Sequence, residues 1–384
     1  MISISRPFVN IPFIDLKTQY QQNKQSIARA TSKVLEHGQY IMGPEIFELE
    51  RALANYVGTK HALTCSSGTD ALVLSLMSLD LTNDDAVFTS PFTFFASAES
   101  ITLAGAKPVF VDIDPLTYNI DPIDLEHKIE KIVNEGKLNP RAIIPVDLFG
   151  ISCDYKQINE IAKKFSLTVL EDAAQAFGAP YHNGKAGGLA DIAATSFYPA
   201  KPLGCYGDGG AVFTNDSNLY ETLVSLRVHG QASSGDKYDN VRIGLNARMD
   251  TLQAAILLEK LKVYDKELDL RSKVASHYEK RLSDHVKTPI VPKNQGSVWA
   301  QYTIQVSDRD KLKSDLNKKG IPTAVFYPKP IHLTAAYKFL DYKEGDFPIT
   351  EKASKHVISL PMHPYLESKT IDYICDAVLA SITT

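Results

Sequence analysis

Cysteine is scarce in this chain: Cys65, Cys153, Cys205 and Cys375 are the only four in 384 residues, far apart and without C-x-x-C spacing. That pattern excludes a disulfide-stapled secreted module and a thiolate metal site, and the thiols read as free in a reducing compartment. No charge sign is in excess. Lys and Arg total 41 against 45 Asp and Glu, a formal net charge of −4, which argues against nucleic acid or an anionic membrane as partner. No apolar run reaches the roughly 20 residues needed to span a bilayer. The opening Met1-Ile-Ser-Ile-Ser-Arg-Pro lacks a basic stretch followed by an apolar one. No signal peptide is therefore expected, and the protein is expected in the cytoplasm.

What is present is an ordinary globular composition, 44% hydrophobic and 22% charged, sufficient for a full core. The length suits one large domain followed by a smaller one; the expected division is 1–255 and 256–384. Amphipathic spacing predicts helices over about 23–36, ending at Gly38, and from Glu45 with Ile46, Leu49, Leu53 and Tyr56 on one face, ending at Gly58. Short apolar runs then recur at 62–65, 86–89, 108–112, 142–146, 168–172, 193–198 and 211–214, with helix-like segments such as 70–79 and 154–165 between them. Strands alternating with helices predict an α/β fold, a mostly parallel sheet covered on both sides. A long helical pattern at 250–270 leads to a smaller α/β unit. There, strands are expected at 298–306 and 321–326 and helices at 308–319 and 368–381. The polar stretch 231–240 is expected to be a mobile surface loop.

Three pieces carry chemistry. Thr195-Ser-Phe-Tyr-Pro-Ala-Lys201 is followed by Gly204, Gly207, Gly209 and Gly210. A lysine on a turn beside closely approaching backbone can be desolvated into a usable nucleophile, though a lysine beside glycines is more often an ordinary turn residue. Cys65-Ser-Ser-Gly68-Thr69-Asp70 joins a strand to an apolar helix; it offers an anion site at a helix N-terminus, or simply an N-cap by Thr69 or Asp70. Val169-Leu-Glu171-Asp172-Ala-Ala-Gln175 ends a buried strand in two acids. Asp172 there either caps a following helix or pairs with a cation. In chain order these supply a phosphate cradle, a carboxylate and a lysine, the three things pyridoxal 5′-phosphate requires. Phe92-Thr-Phe94-Phe95 adds a candidate aromatic plane, with core packing as the alternative reading.

At these residues the chain resembles the DegT/DnrJ/EryC1/StrS family of sugar-nucleotide aminotransferases. The resemblance runs from Ile14-Asp-Leu-Lys to His363-Pro-Tyr. The motifs that carry it are Gly-Thr-Asp-Ala-Leu (68–72), Glu-Asp-Ala-Ala-Gln (171–175), Ser-Phe-Tyr-Pro-Ala-Lys (196–201) and Gly-Asp-Gly-Gly-Ala (207–211). It implies the fold-type I, aspartate aminotransferase-like fold: a large domain around a mostly parallel seven-stranded sheet plus a small C-terminal α/β domain. It implies that Lys201 carries pyridoxal phosphate as a Schiff base, Asp172 holds the ring nitrogen, and Gln175 contacts the ring hydroxyl. Gly68, Thr69 and Ser196 are implied at the phosphate and Phe94 on the ring face. Gly244-Leu-Asn246-Ala-Arg248 matches a loop that in this family reaches a neighbouring subunit's site, which implies a homodimer with Asn246 completing the cradle; without the resemblance, Asn246 is a turn residue and Arg248 a surface cation. The implied amino donor is L-glutamate. The implied acceptor is a keto-sugar nucleotide, most similar to UDP-linked 3-keto N-acetylhexosamines or uronates of surface polysaccharide (O-antigen) synthesis. The alternatives are 4-keto-6-deoxy sugars, a related dehydratase, disfavoured because those members carry histidine where Lys201 stands, and a catalytically silent protein of the same fold. Tyr327, Lys329 and His332, in Phe326-Tyr-Pro-Lys329-Pro-Ile-His332, are candidates for the substrate wall beside Arg248.

Overall fold

The computed structural model describes residues 11–232 and 238–383. Its first two helices, α1 (Leu16–His37) and α2 (Pro44–Val57), stop where expected. Gly38 and Gly58 take left-handed φ values of 71° and 81° and donate to carbonyls one turn back, a conformation only glycine adopts without strain.

Next comes the alternation that the apolar runs predict. The chain forms β1 (His61–Cys65), α3 (Gly68–Met77), β2 (Asp85–Thr89), α4 (Ala96–Leu103), β3 (Lys107–Phe110), α5 (Pro122–Glu135), β4 (Asn139–Ile144), α6 (Tyr155–Phe165) and β5 (Thr168–Asp172). A short hairpin, β6 (Pro180–Tyr181) and β7 (Gly184–Lys185), precedes β8 (Ile192–Ser196), β9 (Gly210–Thr214) and α7 (Ser217–Arg227). The seven-stranded sheet has the order β1-β9-β8-β5-β4-β2-β3. Strands β8, β5, β4, β2 and β3 are mutually parallel, and β9 runs against both its neighbours. Alternate residues face opposite layers. Leu63, Val87, Ala142, Ile192, Ala194 and Val212 pack with α3, α4 and α7, whereas Ala62, Ala193, Ala211 and Phe213 meet α2 and the next helix.

That next helix, α8 (Thr251–Leu282), serves both halves of the molecule. Its Ala254 and Leu257 belong to the large-domain core, and its Val274, Tyr278 and Leu282 to a second core with β10 (Tyr302–Gln305), α9 (Arg309–Lys318), β11 (Val357–Leu360) and α11 (Ser368–Ile382). A boundary at residue 255 therefore falls within its first turns. Ile11 joins the second core, so the start of the described chain packs with the C-terminal unit. Two expectations change. Residues 321–326 form no strand, only a single bridge from Ala324 to Ser359, and a further helix, α10 (Pro348–His356), lies before β11. Residues 233–237 of the expected surface loop lie outside the described residues; the flanking Gln231 and Asn240 pair as an antiparallel bridge.

Beneath the end of β5, Asp147 and Glu171 are both fully buried and face each other. Glu171 accepts from Gly187 N at 2.6 Å and Leu189 N at 2.9 Å, and Asp147 Oδ1 from Cys153 N at 2.8 Å and Tyr155 Oη at 3.0 Å. Asp147 Oδ2 has no ordinary donor, which suits a proton carried by Glu171. Burial pushes Glu171 well above the carboxylate range and Asp147 up to about 7. Both folded-state values exceed the unfolded ones, so the stability gained from protonation is full at acid pH and is lost as pH rises through about 7. Asp147→Asn, neutral at every pH, should flatten that loss. Denaturant midpoints measured at pH 5.5 and 8.5 should then differ less in the variant than in the wild type; parallel shifts would contradict the assignment.

Candidate active site

All the sequence-predicted cofactor residues except Asn246 gather where the parallel strands end. β5 delivers Asp172 at its last position, β8 delivers Ser196, and the turn after β8 carries Lys201. Asp172 is 4% exposed. No helix follows it: residues 174–178 form turns, and its Oδ1 accepts from Ala174 N at 3.2 Å, so capping does not explain it. Burial pushes its pKa above the usual carboxylate value, while a hydrogen bond from Ser97, the Ala174 amide and the Lys201 charge pull it back down. Lys201 is its counterpart. The stem keeps some exposure, but burial of the amine holds it below the ordinary lysine value, opposed by the attraction of Asp172. The pair thus places an amine nearer its neutral form beside a buried carboxylate whose donors offset part of the cost of its charge.

The anion cradle is built on close contact. Ser67, not Thr69 or Asp70, caps α3: its hydroxyl accepts from Asp70 N at 3.0 Å. The N–H groups of Gly68 and Thr69 then have no partner among the described residues, and they stand at the positive end of α3. A side chain at Gly68 would put its Cβ 2.5 Å from Ser196 Cβ, and one at Gly210 would come within 2.3 Å of the Ser67 carbonyl. Glycine is required at both places, and the effect is to press the α3 N-terminus against the Ser196 hydroxyl.

Gln175, 4% exposed, is held at both ends of its amide: Oε1 accepts from Phe149 N at 2.9 Å and Nε2 donates to Tyr327 Oη at 3.1 Å. Tyr327 therefore sits at the carboxylate end of the site, its hydroxyl held in the protonated form chiefly by burial. Phe92 is core at 1% exposure, but Phe94 is 59% exposed at the head of α4 and Tyr198 54% exposed beside Lys201, so the packing reading holds for the first ring and not for Phe94. Asn246 is exposed, its Oδ1 accepting from Arg248 at 2.6 Å. Lys329 is exposed as well. His332 departs from the expected substrate wall: it is 2% exposed, bonded to Glu351 at 3.2 Å, with its ring 4.6 Å from that of Phe347.

Two features had little sequence signal. Ser97, the second residue of α4, donates to Asp172 Oδ2 at 2.8 Å and meets Thr93 Oγ1 at 3.1 Å. The i, i+4 spacing of Thr93 and Ser97 was its only mark. The other is α8, which grips the lysine turn twice along one face: Gln253 accepts from Tyr206 N at 2.8 Å, and the buried Lys260 donates to the Gly204 carbonyl. Burial pushes Lys260 down to about 8.

A buried carboxylate facing a depressed amine, beside an open helix N-terminus, matches the donor set of a pyridoxal phosphate enzyme. The DegT/DnrJ/EryC1/StrS aminotransferase family model covers residues 21–379, and the chain belongs to that family. It is a fold-type I, pyridoxal phosphate-dependent aminotransferase. It is 46% identical to a UDP-2-acetamido-2-deoxy-3-oxo-D-glucuronate aminotransferase of Pseudomonas aeruginosa, over 96% of this chain and 99% of that one. Among solved structures, a DegT DnrJ EryC1 StrS aminotransferase from Brucella abortus superposes with a TM-score of 0.94 at 46% identity, covering 97% of this chain and 100% of that one. NtdA from Bacillus subtilis, solved with bound cofactor PMP, gives 0.89 at 28% identity over 99% and 87%. Among the described residues no helix is long and apolar enough to cross a membrane, and no group of side chains is arranged to hold a metal ion.

Gly68→Ala tests the cradle. With 2.5 Å between the new Cβ and Ser196, overpacking should cost about 1–3 kcal/mol, and cofactor retention through gel filtration should fall. Unchanged retention would show that the contact yields.

Proposed function

We propose that this aminotransferase moves the amino group of L-glutamate onto a UDP-linked 3-keto N-acetylhexosamine or uronate, in surface-polysaccharide sugar synthesis. The observation that carries the site assignment is the opposition of Lys201 and Asp172 at the carboxyl ends of β8 and β5, next to the Gly68–Ser196 cradle. The substrate class rests on the name of the Pseudomonas relative, which shares nearly its whole length with this chain.

Bound pyridoxal phosphate supplies an electron-accepting ring that stores the amino group between two half-reactions. The N–H groups of Gly68 and Thr69 and the Ser196 hydroxyl would hold its phosphate, as a helix N-terminus holds any anion. Asp172, charged and buried, would keep the ring nitrogen protonated, and Gln175, already fixed by Phe149 and Tyr327, would meet the ring hydroxyl. Phe94 would close the exposed ring face. Lys201 would tether the cofactor at rest. Freed when the amino acid binds, its Nζ takes the proton from the α-carbon, and in the return half it gives a proton to the sugar carbon that gains nitrogen. Burial suits it to this work, because an amine lowered from its ordinary value gives up its proton more readily.

The exposed segment around Asn246 and Arg248, with Ile243 at 85% and Val241 at 57% exposure, is a surface suited to a second copy of the chain. We read it as the arm that completes a homodimeric site, with Arg248 near the substrate. Tyr327 and Lys329 are retained as substrate-side candidates and His332 is set aside as a packed residue.

Lys201→Ala should bind cofactor yet lose roughly 100- to 10,000-fold in kcat, the usual worth of a general acid–base group. Near-normal turnover would remove Lys201 from the mechanism. Incubating the enzyme and glutamate with matched 3-keto and 4-keto UDP- and dTDP-sugars should give product from the 3-keto UDP compound. Product from a 4-keto sugar alone would overturn the substrate assignment.

A further inference from the structure

Ser97, Thr93 and Asp172 form a single line of hydrogen bonds. Ser97 is 1% exposed and Thr93 2%, so both hydroxyls are buried. Their direction follows from counting protons. Ionised Asp172 can only accept, so the one hydroxyl proton of Ser97 must point to Oδ2, 2.8 Å away. Ser97 is then left with lone pairs only toward Thr93, 3.1 Å away, and Thr93 must donate to it. Such a chain polarises along its length, so each donor strengthens the next.

The other groups facing Asp172 are the Ala174 amide on Oδ1 at 3.2 Å, the Lys201 ammonium and the Tyr327 hydroxyl. Tyr327 accepts from Gln175, and its hydroxyl makes no hydrogen bond to Asp172 among the described residues. The Ala174 bond is the longer of the two direct ones. Lys201 is a supporter only while it bears a charge, and the reaction proposed above requires it as a neutral amine. At that stage the protonated ring nitrogen would be what faces the buried carboxylate, and without donors the carboxylate would draw that proton to itself and cease to serve as an acceptor.

We propose that Ser97, oriented by Thr93, is a positioning residue that keeps the Asp172 carboxylate in its acceptor state, aimed at the ring nitrogen, while Lys201 is neutral. The proposal rests on the cofactor reading given under Proposed function. It adds a role for α4, whose only previous link to the site is Phe94, just before it.

The test compares two probes on the holoenzyme and its variants: pyridoxal phosphate, and its analogue with carbon in place of the ring nitrogen. Dissociation constants are measured by titration at pH 7.5. Ser97→Ala should weaken pyridoxal phosphate by about 10-fold, the worth of a hydrogen bond to a charged group. It should leave the carbon-ring analogue within about 2-fold, since that ring offers Asp172 no proton. Ser97→Thr should restore wild-type affinity, and Thr93→Val should show the same selective loss at smaller size. Equal weakening of both probes would reduce Ser97 to a packing role and overturn the proposal, as would no weakening of either. If Ser97→Ala does not fold, Thr93→Val carries the same comparison between probes. The visible absorbance of the lysine-linked cofactor in the wild type separates the two levels: if Lys201→Ala keeps it, the cofactor reading fails; if Lys201→Ala abolishes it and the probes behave alike, only the role of Ser97 fails.

Discussion

A carboxylate out of water is costly unless something charged or strongly hydrogen-bonding meets it, and this fold is arranged to keep one such carboxylate ionised. Asp172 ends β5 with almost no exposure. Ser97 comes to it from α4, the Ala174 amide from its own turn, and Lys201 from the loop between β8 and β9. Three separate elements thus converge on one pair of oxygens. A parallel sheet makes this possible, because the ends of β5 and β8 lie side by side at the same edge.

The same edge bears a second acidic pair that does different work. Asp147 and Glu171 sit in the layer just below, and there burial wins because no cation compensates it. Adjacent residues in sequence, Glu171 and Asp172, point to opposite sides of the strand and meet opposite fates: one holds a proton and ties turns together, the other remains charged for chemistry. The sequence Glu-Asp alone does not distinguish them. Only the partners do.

Much of the architecture was legible because apolar runs of strand length recur with helical segments between them, and all seven runs became strands of one sheet. Lys201, Gly68 and Asp172 were legible because glycine and buried charge are expensive and seldom placed idly. Residues 321–326 misled because an apolar run with a proline reads as a strand, whereas only Ala324 finds a partner there. His332 reads as part of a substrate wall because sequence carries no sign of the Phe347 and Glu351 that enclose it. Ser97 and Lys260 were missed for a related reason: a serine in a helix and a lysine on a long helix are commonplace until the fold sets Asp172 against one and the Gly204 carbonyl against the other.

Lys260 also supplies the sharpest rival. It is a second buried amine, depressed to about 8, touching the very turn that carries Lys201, but it faces Gly204 and the Tyr206 ring rather than Asp172. Reduction of the freshly purified holoenzyme with borohydride, followed by digestion and peptide mass spectrometry, decides between the two amines. The account predicts the reduced cofactor on the peptide containing Lys201. A tag on Lys260, or on neither, would contradict it.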